Sequence, residues 1–212
     1  MNNCNHCGRW QQKNIGKTGI QKMGAFILGT IGFLLYFIYD VNSIIWKNSV
    51  IQKFFATGSI CVAASAVWAM GMALTDGENH PAVQIGFGVG ALIFLVLLVY
   101  TLFFALPFEE TYLEENKERL AYTEGVYGLC RHPGVLWFAG VYLCLWGVSG
   151  ELSQGIYFIS MIFWNYLYVV FQDVWTFPKT FTNYNEYKQK TPFLLPNRRS
   201  VGACLACIKK RK

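Results

Sequence analysis

The stretch Val83–Leu106, VQIGFGVGALIFLVLLVYTLFFAL, runs for 24 residues without one charged side chain. Crossing a bilayer core takes about 20 mostly apolar residues as a helix, whereas a run of roughly 10–14 more often belongs to a soluble core. Met23–Tyr39 and Phe54–Leu74 are charge-free runs of the same kind. Pro133–Gly150 and Gly155–Phe171 are each a little short, and the turn Gly150-Glu151-Leu152-Ser153-Gln154-Gly155 joins them into one helical hairpin. Backbone groups left unpaired in hydrocarbon are too costly to tolerate, so all five runs are expected to be helical. Composition agrees. The chain is 54% hydrophobic and 14% charged, against about 25% charged in a typical soluble domain. The expected fold is an all-α, polytopic membrane helix bundle of about five transmembrane helices.

Three regions follow: a polar N-terminal leader (1–22), three transmembrane helices (23–106), and a C-terminal region (107–212) made of the hairpin 133–171 and a basic tail 174–212. The leader is long for a signal-peptide n-region and no small-x-small site follows Tyr39, so the first apolar run reads as a retained span. Alternating faces place Lys47, Lys53, Lys117, Arg119, Arg131 and the nine basic residues from Lys179 to Lys212 on one side, fourteen in all. The other side holds four: Arg9, Lys13, Lys17 and Lys22. Positive charge collects in the cytoplasm, which puts the C-terminus there. A re-entrant first segment would relieve the four basic residues left outside. The expected location is the inner membrane in a bacterium or the endoplasmic reticulum in a eukaryote, where Lys209-Lys210-Arg211-Lys212 would also look like a dilysine retrieval signal.

The net charge of +6 comes mostly from the tail, where Glu186 stands alone against nine basic residues. Anchoring to anionic lipid head groups accounts for it. No folded basic face with stacking aromatics points to nucleic acid. Seven cysteines make no disulfide framework. Cys4/Cys7 and Cys204/Cys207 have zinc-like spacing, but the topology puts the two pairs on opposite faces, so no metal is expected. Acylation is the more ordinary role for Cys204 and Cys207. Gly86, Gly88 and Gly90 lie inside an apolar helix, where small residues let helices approach, rather than in a phosphate loop.

Polar side chains gather at the two ends of the hairpin. Thr123–Gly134 leads into it with Arg131-His132-Pro133, and Gln172-Asp173 leaves it, followed by Tyr184-Asn185-Glu186-Tyr187 and Thr191–Pro196. A hairpin brings Arg131, His132 and Asp173 to one membrane level. A cation, an imidazole and an acid at such a boundary form a candidate site, with head-group anchoring as the plain alternative.

Gly125, Tyr127, Arg131, His132 and Pro133, then Gln172-Asp173, Tyr184 and Tyr187, and Pro192 and Pro196 resemble the signature of the isoprenylcysteine carboxyl methyltransferase and phospholipid N-methyltransferase superfamily. The resemblance covers about 75 residues and both motifs flank a hairpin. It implies an integral-membrane methyltransferase that uses S-adenosylmethionine and acts on a lipophilic acceptor reaching it from the bilayer. It further implies that Arg131 holds the cofactor carboxylate and Asp173 its ammonium. Tyr127, His132, Pro133 and Tyr187 would line or close the cofactor site. The chain departs from the family at Gln172-Asp173, where two glutamates are usual, and at Val135, Trp137 and Val169. The last of these points away from a prenylcysteine substrate, and the atom methylated stays open. A nicotinamide-dependent membrane reductase and a non-catalytic scaffold of the same fold are the rival readings.

Overall fold

The computed structural model describes residues 4–76, 81–105 and 119–202, with backbone alone for 4–18 and 75–76. These residues form helices α1 (Cys4–Ile44), α2 (Ser49–Gln52), α3 (Phe54–Asp76) and α4 (Pro81–Val99). After them come α5 (Val126–Leu129), α6 (Pro133–Ser149), α7 (Gly155–Phe171), α8 (Phe177–Thr180) and α9 (Tyr184–Lys190). No strand occurs among the described residues. The protein is an all-α bundle whose helices are built for a membrane.

Four stretches are long and apolar enough to cross a bilayer: Gly19–Ile44, Ser49–Leu74, Pro81–Phe104 and Leu152–Thr180. The fifth expected span, α6, is a shorter apolar helix of 17 residues. At 1.5 Å per residue it extends about 26 Å, less than a hydrocarbon core of about 30 Å. The polar leader is not a separate segment where it is described, because α1 begins at Cys4 and runs unbroken through the first apolar run to Ile44. That continuity also leaves no re-entrant turn in the first segment. Side chains of the Cys4/Cys7 pair, and all of Cys204 and Cys207, lie outside what the structure describes.

α1 packs chiefly against α3, and α4 against α6; the α6–α7 hairpin joins the two pairs, with α1 also lying on α7. Phe33, Phe158 and Met161 are fully buried at the centre. Phe33 meets Phe138 edge-on at 6.0 Å, and Phe138 stacks on Tyr142 at 4.3 Å. Where α3 meets α7, Ser65 and Tyr157 share a 2.8 Å hydrogen bond, the kind of interhelical polar link that substitutes for water in lipid. Outward-facing Ile85, Val89, Leu92 and Val96 on α4 are exposed, as expected where lipid is the solvent.

α1 and α7 run parallel. Near the start of their membrane spans Lys22 Nζ lies 2.5 Å from Glu151 Oε1, and near the far end Thr176 Oγ1 bonds Asp40 Oδ2. The turn after α1 is clamped by buried Asn42, which exchanges two 2.9 Å bonds with the Asn48 backbone. α6 opens with Pro133, which needs no N–H there, and closes on Gly150 at φ 62°, a left-handed cap that suits glycine.

Close helix approach does not come from the Gly86–Gly90 cluster as a whole. A methyl group on Gly86 or Gly88 would meet nothing within 4 Å, and only Gly90 faces a neighbour, Cys144 Sγ at 3.1 Å. The tight contacts lie elsewhere. A Cβ on Gly58 would come within 2.8 Å of the Gly32 carbonyl oxygen, and Cβ atoms on Gly140 and Gly147 within 2.5 Å of Phe94 and Phe87. The apparent cluster follows sequence proximity, whereas a helix presents only every third or fourth residue to one neighbour.

Candidate functional site: a buried charge cluster at the end of the hairpin

The segment before the hairpin is laid against the segment after it by backbone bonds. Gly125 sits at φ 59°, ψ −129°, a conformation open essentially to glycine, and turns the chain into α5. Cys130 is extended. Arg131 N then donates to Pro192 O at 2.9 Å and His132 N to Phe193 O at 3.2 Å. Further out, Asn183 imitates a backbone partner: its Oδ1 accepts from Ala121 N at 2.7 Å and its Nδ2 donates to Ala121 O at 3.2 Å. Thr182 N adds a bond to Arg119 O at 3.1 Å.

Asp173 is brought to the same place by a break in helix periodicity. α7 passes into a π turn, Gln172–Thr176, before α8 resumes. The wider turn admits one extra residue per loop of hydrogen bonding and is common at functional sites. Within it Asp173 and Thr176 are both buried. A second π turn, Tyr100–Phe104 at the end of α4, carries buried Thr101. Thr101 O accepts from the Tyr127 hydroxyl at 2.9 Å, and Thr101 Oγ1 accepts from Trp137 Nε1 at 3.0 Å.

Five donor atoms converge on the Asp173 carboxylate. Oδ1 takes Arg131 Nε at 2.8 Å, His132 Nε2 at 3.0 Å and the Tyr184 hydroxyl at 2.7 Å. Oδ2 takes Arg131 Nη2 at 3.3 Å and Lys188 Nζ at 3.0 Å. Arg131 Nη1 is spent on two carbonyls, Thr191 O at 2.5 Å and Lys188 O at 3.2 Å. A guanidinium has five N–H groups, and one on Nη2 remains uncommitted among the described residues. With His132 neutral, the cluster holds two cations and one anion, a surplus of one positive charge.

Aromatic walls enclose the cluster. The His132 ring stacks on Phe177 at 5.7 Å and meets Phe193 edge-on at 5.0 Å, and Arg131 Cζ lies 5.7 Å from the Phe193 centroid. Burial pushes the His132 pKa below its ordinary value, with Arg131 and Lys188 adding to that and Asp173 opposing it. The ring is therefore neutral. An ionised carboxylate only accepts, so Nε2 carries the proton. Burial and the bond to Asp173 push the Tyr184 pKa far up, which keeps its hydroxyl a donor. The Cys130 thiol is pushed up to about 11 by burial, so it is no thiolate nucleophile.

The other sequence-predicted residues take supporting places. Tyr187 donates its hydroxyl to Tyr127 O at 2.6 Å, tying the two motifs together, and Tyr127 in turn reaches Thr101. Pro133 starts α6 and is buried. Sequence reasoning missed Lys188, Tyr184 as a direct partner of Asp173, the Asn183 clamp and Asp40. Lys188 lies four residues after Tyr184, one turn along α9, and that spacing was the available signal. No group of three or more metal-binding side chains occurs among the described residues. No family model, curated protein or solved structure matches the chain.

Proposed function

We propose that the protein is an integral-membrane methyltransferase that binds S-adenosylmethionine at the Arg131–Asp173 cluster and acts on a lipophilic acceptor from the bilayer. What carries this reading is one observation. The two segments that resemble the methyltransferase signature meet around a single buried carboxylate, with one positive charge in surplus. The donor set fits the amino-acid end of that cofactor. A ligand carboxylate suits the surplus charge, the uncommitted N–H of Arg131 and the ammonium of Lys188, whose side chain is 32% exposed. A ligand ammonium suits Asp173 once Lys188 turns away to solvent.

The bound cofactor would supply an electrophilic methyl group. The chain's own work is positional. Arg131, fixed by two carbonyls, orients Asp173; neutral His132 donates to the same oxygen; Phe177 and Phe193 exclude water and strengthen these bonds by lowering the local dielectric. Fourteen basic residues against four support a cytoplasmic position for this end of the bundle, where a soluble cofactor is at hand.

A second reading draws on the near-complete satisfaction of the cluster: it is a latch that fastens the tail to the hairpin of a non-catalytic membrane protein. Calorimetry with S-adenosylhomocysteine on detergent-purified protein separates the two. Methyl transfer requires saturable binding that Lys188→Ala weakens at least about tenfold, the effect of losing one charged partner. A latch requires that wild-type protein bind nothing while Arg131→Ala still lowers its melting temperature.

A further inference from the structure

Pro178 explains why the chain leaves the α form around Asp173. In an unbroken α-helix its missing N–H would leave the Val174 carbonyl without a donor, and its ring would press on that same carbonyl. The π turn Gln172–Thr176 shifts the bonding by one residue, with Phe177 N donating to Gln172 O. One carbonyl is stranded instead. The π-type donor for Asp173 O would come from position 178, which is proline. Lys188 Nζ donates to Asp173 O in its place, at 3.1 Å.

The turn also parts two buried side chains. In an α-helix, residues three apart face one neighbour. Here Asp173 and Thr176 go to different ones. Asp173 meets Arg131, His132, Tyr184 and Lys188, whereas the Thr176 hydroxyl turns to α1 and donates to Asp40 Oδ2 at 3.3 Å. Asp40 is 3% exposed and lies inside the Gly19–Ile44 span. No Lys, Arg or His pairs with it among the described residues. An acid kept in a membrane span is costly, and this one takes no part in the Arg131–Asp173 cluster. What its bond does is hold the π turn from the α1 side. Relaxation toward the α form would swing Thr176 away from Asp40 and Asp173 away from its donors, so both contacts depend on one backbone state.

We propose that Asp40 is a positioning residue: through Thr176 it holds the π turn in the form that presents the Asp173 carboxylate to Arg131 and to the ligand of the cluster. The first span, which lies outside the part of the chain that resembles the methyltransferases, thereby becomes part of the site. The effect on ligand rests on the methyl-transfer reading; the effect on Asp173 does not. The test reads Asp173 through its neighbour. The full chain has three histidines, and nitrogen-labelled histidine with His132→Phe as the reference assigns the Nε2 proton that bonds Asp173 Oδ1. In micelles without cofactor, Thr176→Val and Asp40→Leu are expected to move that proton upfield, toward a weaker bond. Asp40→Asn, whose amide oxygen still accepts from Thr176, restores most of the wild-type position. Ser65→Ala, which removes the α3–α7 bond to Tyr157, controls for general loosening and leaves the proton in place. Calorimetry with S-adenosylhomocysteine should follow the same order, with binding at least about threefold weaker in Thr176→Val and Asp40→Leu, the worth of one hydrogen bond. A His132 proton unmoved in Thr176→Val, or moved as far by Ser65→Ala, overturns the proposal, and so does unchanged affinity in Thr176→Val. That variant, close to threonine in shape, decides the matter should Asp40→Leu fail to fold. Wild-type protein that binds no S-adenosylhomocysteine counts against methyl transfer alone, because the His132 signal is read without ligand.

Discussion

Arg131 holds Asp173 by a fork of two bonds, Nε to Oδ1 at 2.8 Å and Nη2 to Oδ2 at 3.3 Å, with the two side chains 9% and 7% exposed. Removing either partner strands a desolvated charge, which costs about 3–5 kcal/mol in buried pairs. The two losses are not equivalent. Without Arg131, Asp173 keeps Lys188; without Asp173, Arg131 and Lys188 are left as neighbouring like charges. Asp173→Ala is therefore expected to destabilise more than Arg131→Ala, and the double variant less than the sum by roughly 0.5–3 kcal/mol. Denaturation in mixed micelles measures all three, and strict additivity would show the fork to be energetically idle. Arg131→Lys recovers little, because an ammonium cannot reach two carboxylate oxygens and two carbonyls at once.

His132 makes the cluster sensitive to acid. In the unfolded chain its imidazole takes a proton near pH 6.5, and in the folded protein only at lower pH, because burial disfavours the charged ring. Between those two values the unfolded state binds more protons, so stability rises with pH. The contribution is fully present above pH 6.5 and is lost as pH falls through the folded value. The wild-type melting temperature should drop on acidification from pH 6.5, and His132→Phe, which keeps a ring between Phe177 and Phe193, should flatten that part of the curve. An equal slope in both proteins would place the acid sensitivity elsewhere.

The apolar runs were legible because hydrocarbon imposes a single demand, continuous helices without charge, and α3, α4 and α7 start within two residues of those runs. Arg131, His132 and Asp173 were legible as neighbours for the same reason: polar groups have few places to go, and a hairpin returns its ends to one level. Lys188 was not, since in a tail with nine basic residues its charge looks like head-group anchoring; only the fold of α9 against the hairpin singles it out. Asp40 escaped because the first charge-free run ends at Tyr39, although α1 continues to Ile44. The glycine contacts failed for a geometric reason, since which side of α4 meets α6 is decided by packing and not by local composition.

That geometry predicts a contrast among glycines. Gly32 and Gly58 bring two backbones together, and a methyl on Gly58 would sit 2.8 Å from the Gly32 oxygen. Backbone cannot rotate aside, so Gly58→Ala should cost about 1–3 kcal/mol as an overpacked contact. Gly86 and Gly88 face open space, and Gly→Ala there should be neutral or stabilising by up to about 1 kcal/mol from helix propensity. Melting temperatures of the single variants check this; a costly Gly88→Ala would reveal a helix neighbour that the bundle does not contain.

The parallel course of α1 and α7 ties the topology to one ion pair. Lys22 sits near the start of the Gly19–Ile44 span, at the opposite end of that span from Asp40, and its Nζ is 2.5 Å from Glu151 Oε1 in the hairpin turn. The turn and the N-terminal side of the first span therefore share a face, and the Arg131 cluster lies on the other. Four basic residues on the turn's face run against the positive-inside tendency, and Glu151 neutralises one of them. Burial works against ionising Glu151, but the bonds from Lys22 and Ser153 outweigh it and hold its pKa below the usual value. The pair is about a quarter exposed at each side chain, so its worth to stability is at most about 1 kcal/mol; its larger effect is on orientation. A membrane-impermeant thiol reagent should label Ser153→Cys from outside the cell and Asn197→Cys only after permeabilisation, in a background stripped of native cysteines. Glu151→Lys, which adds a fifth positive charge to the turn's face, should increase the fraction of inverted molecules. Labelling of Ser153→Cys and Asn197→Cys from the same side would contradict a membrane crossing by α7.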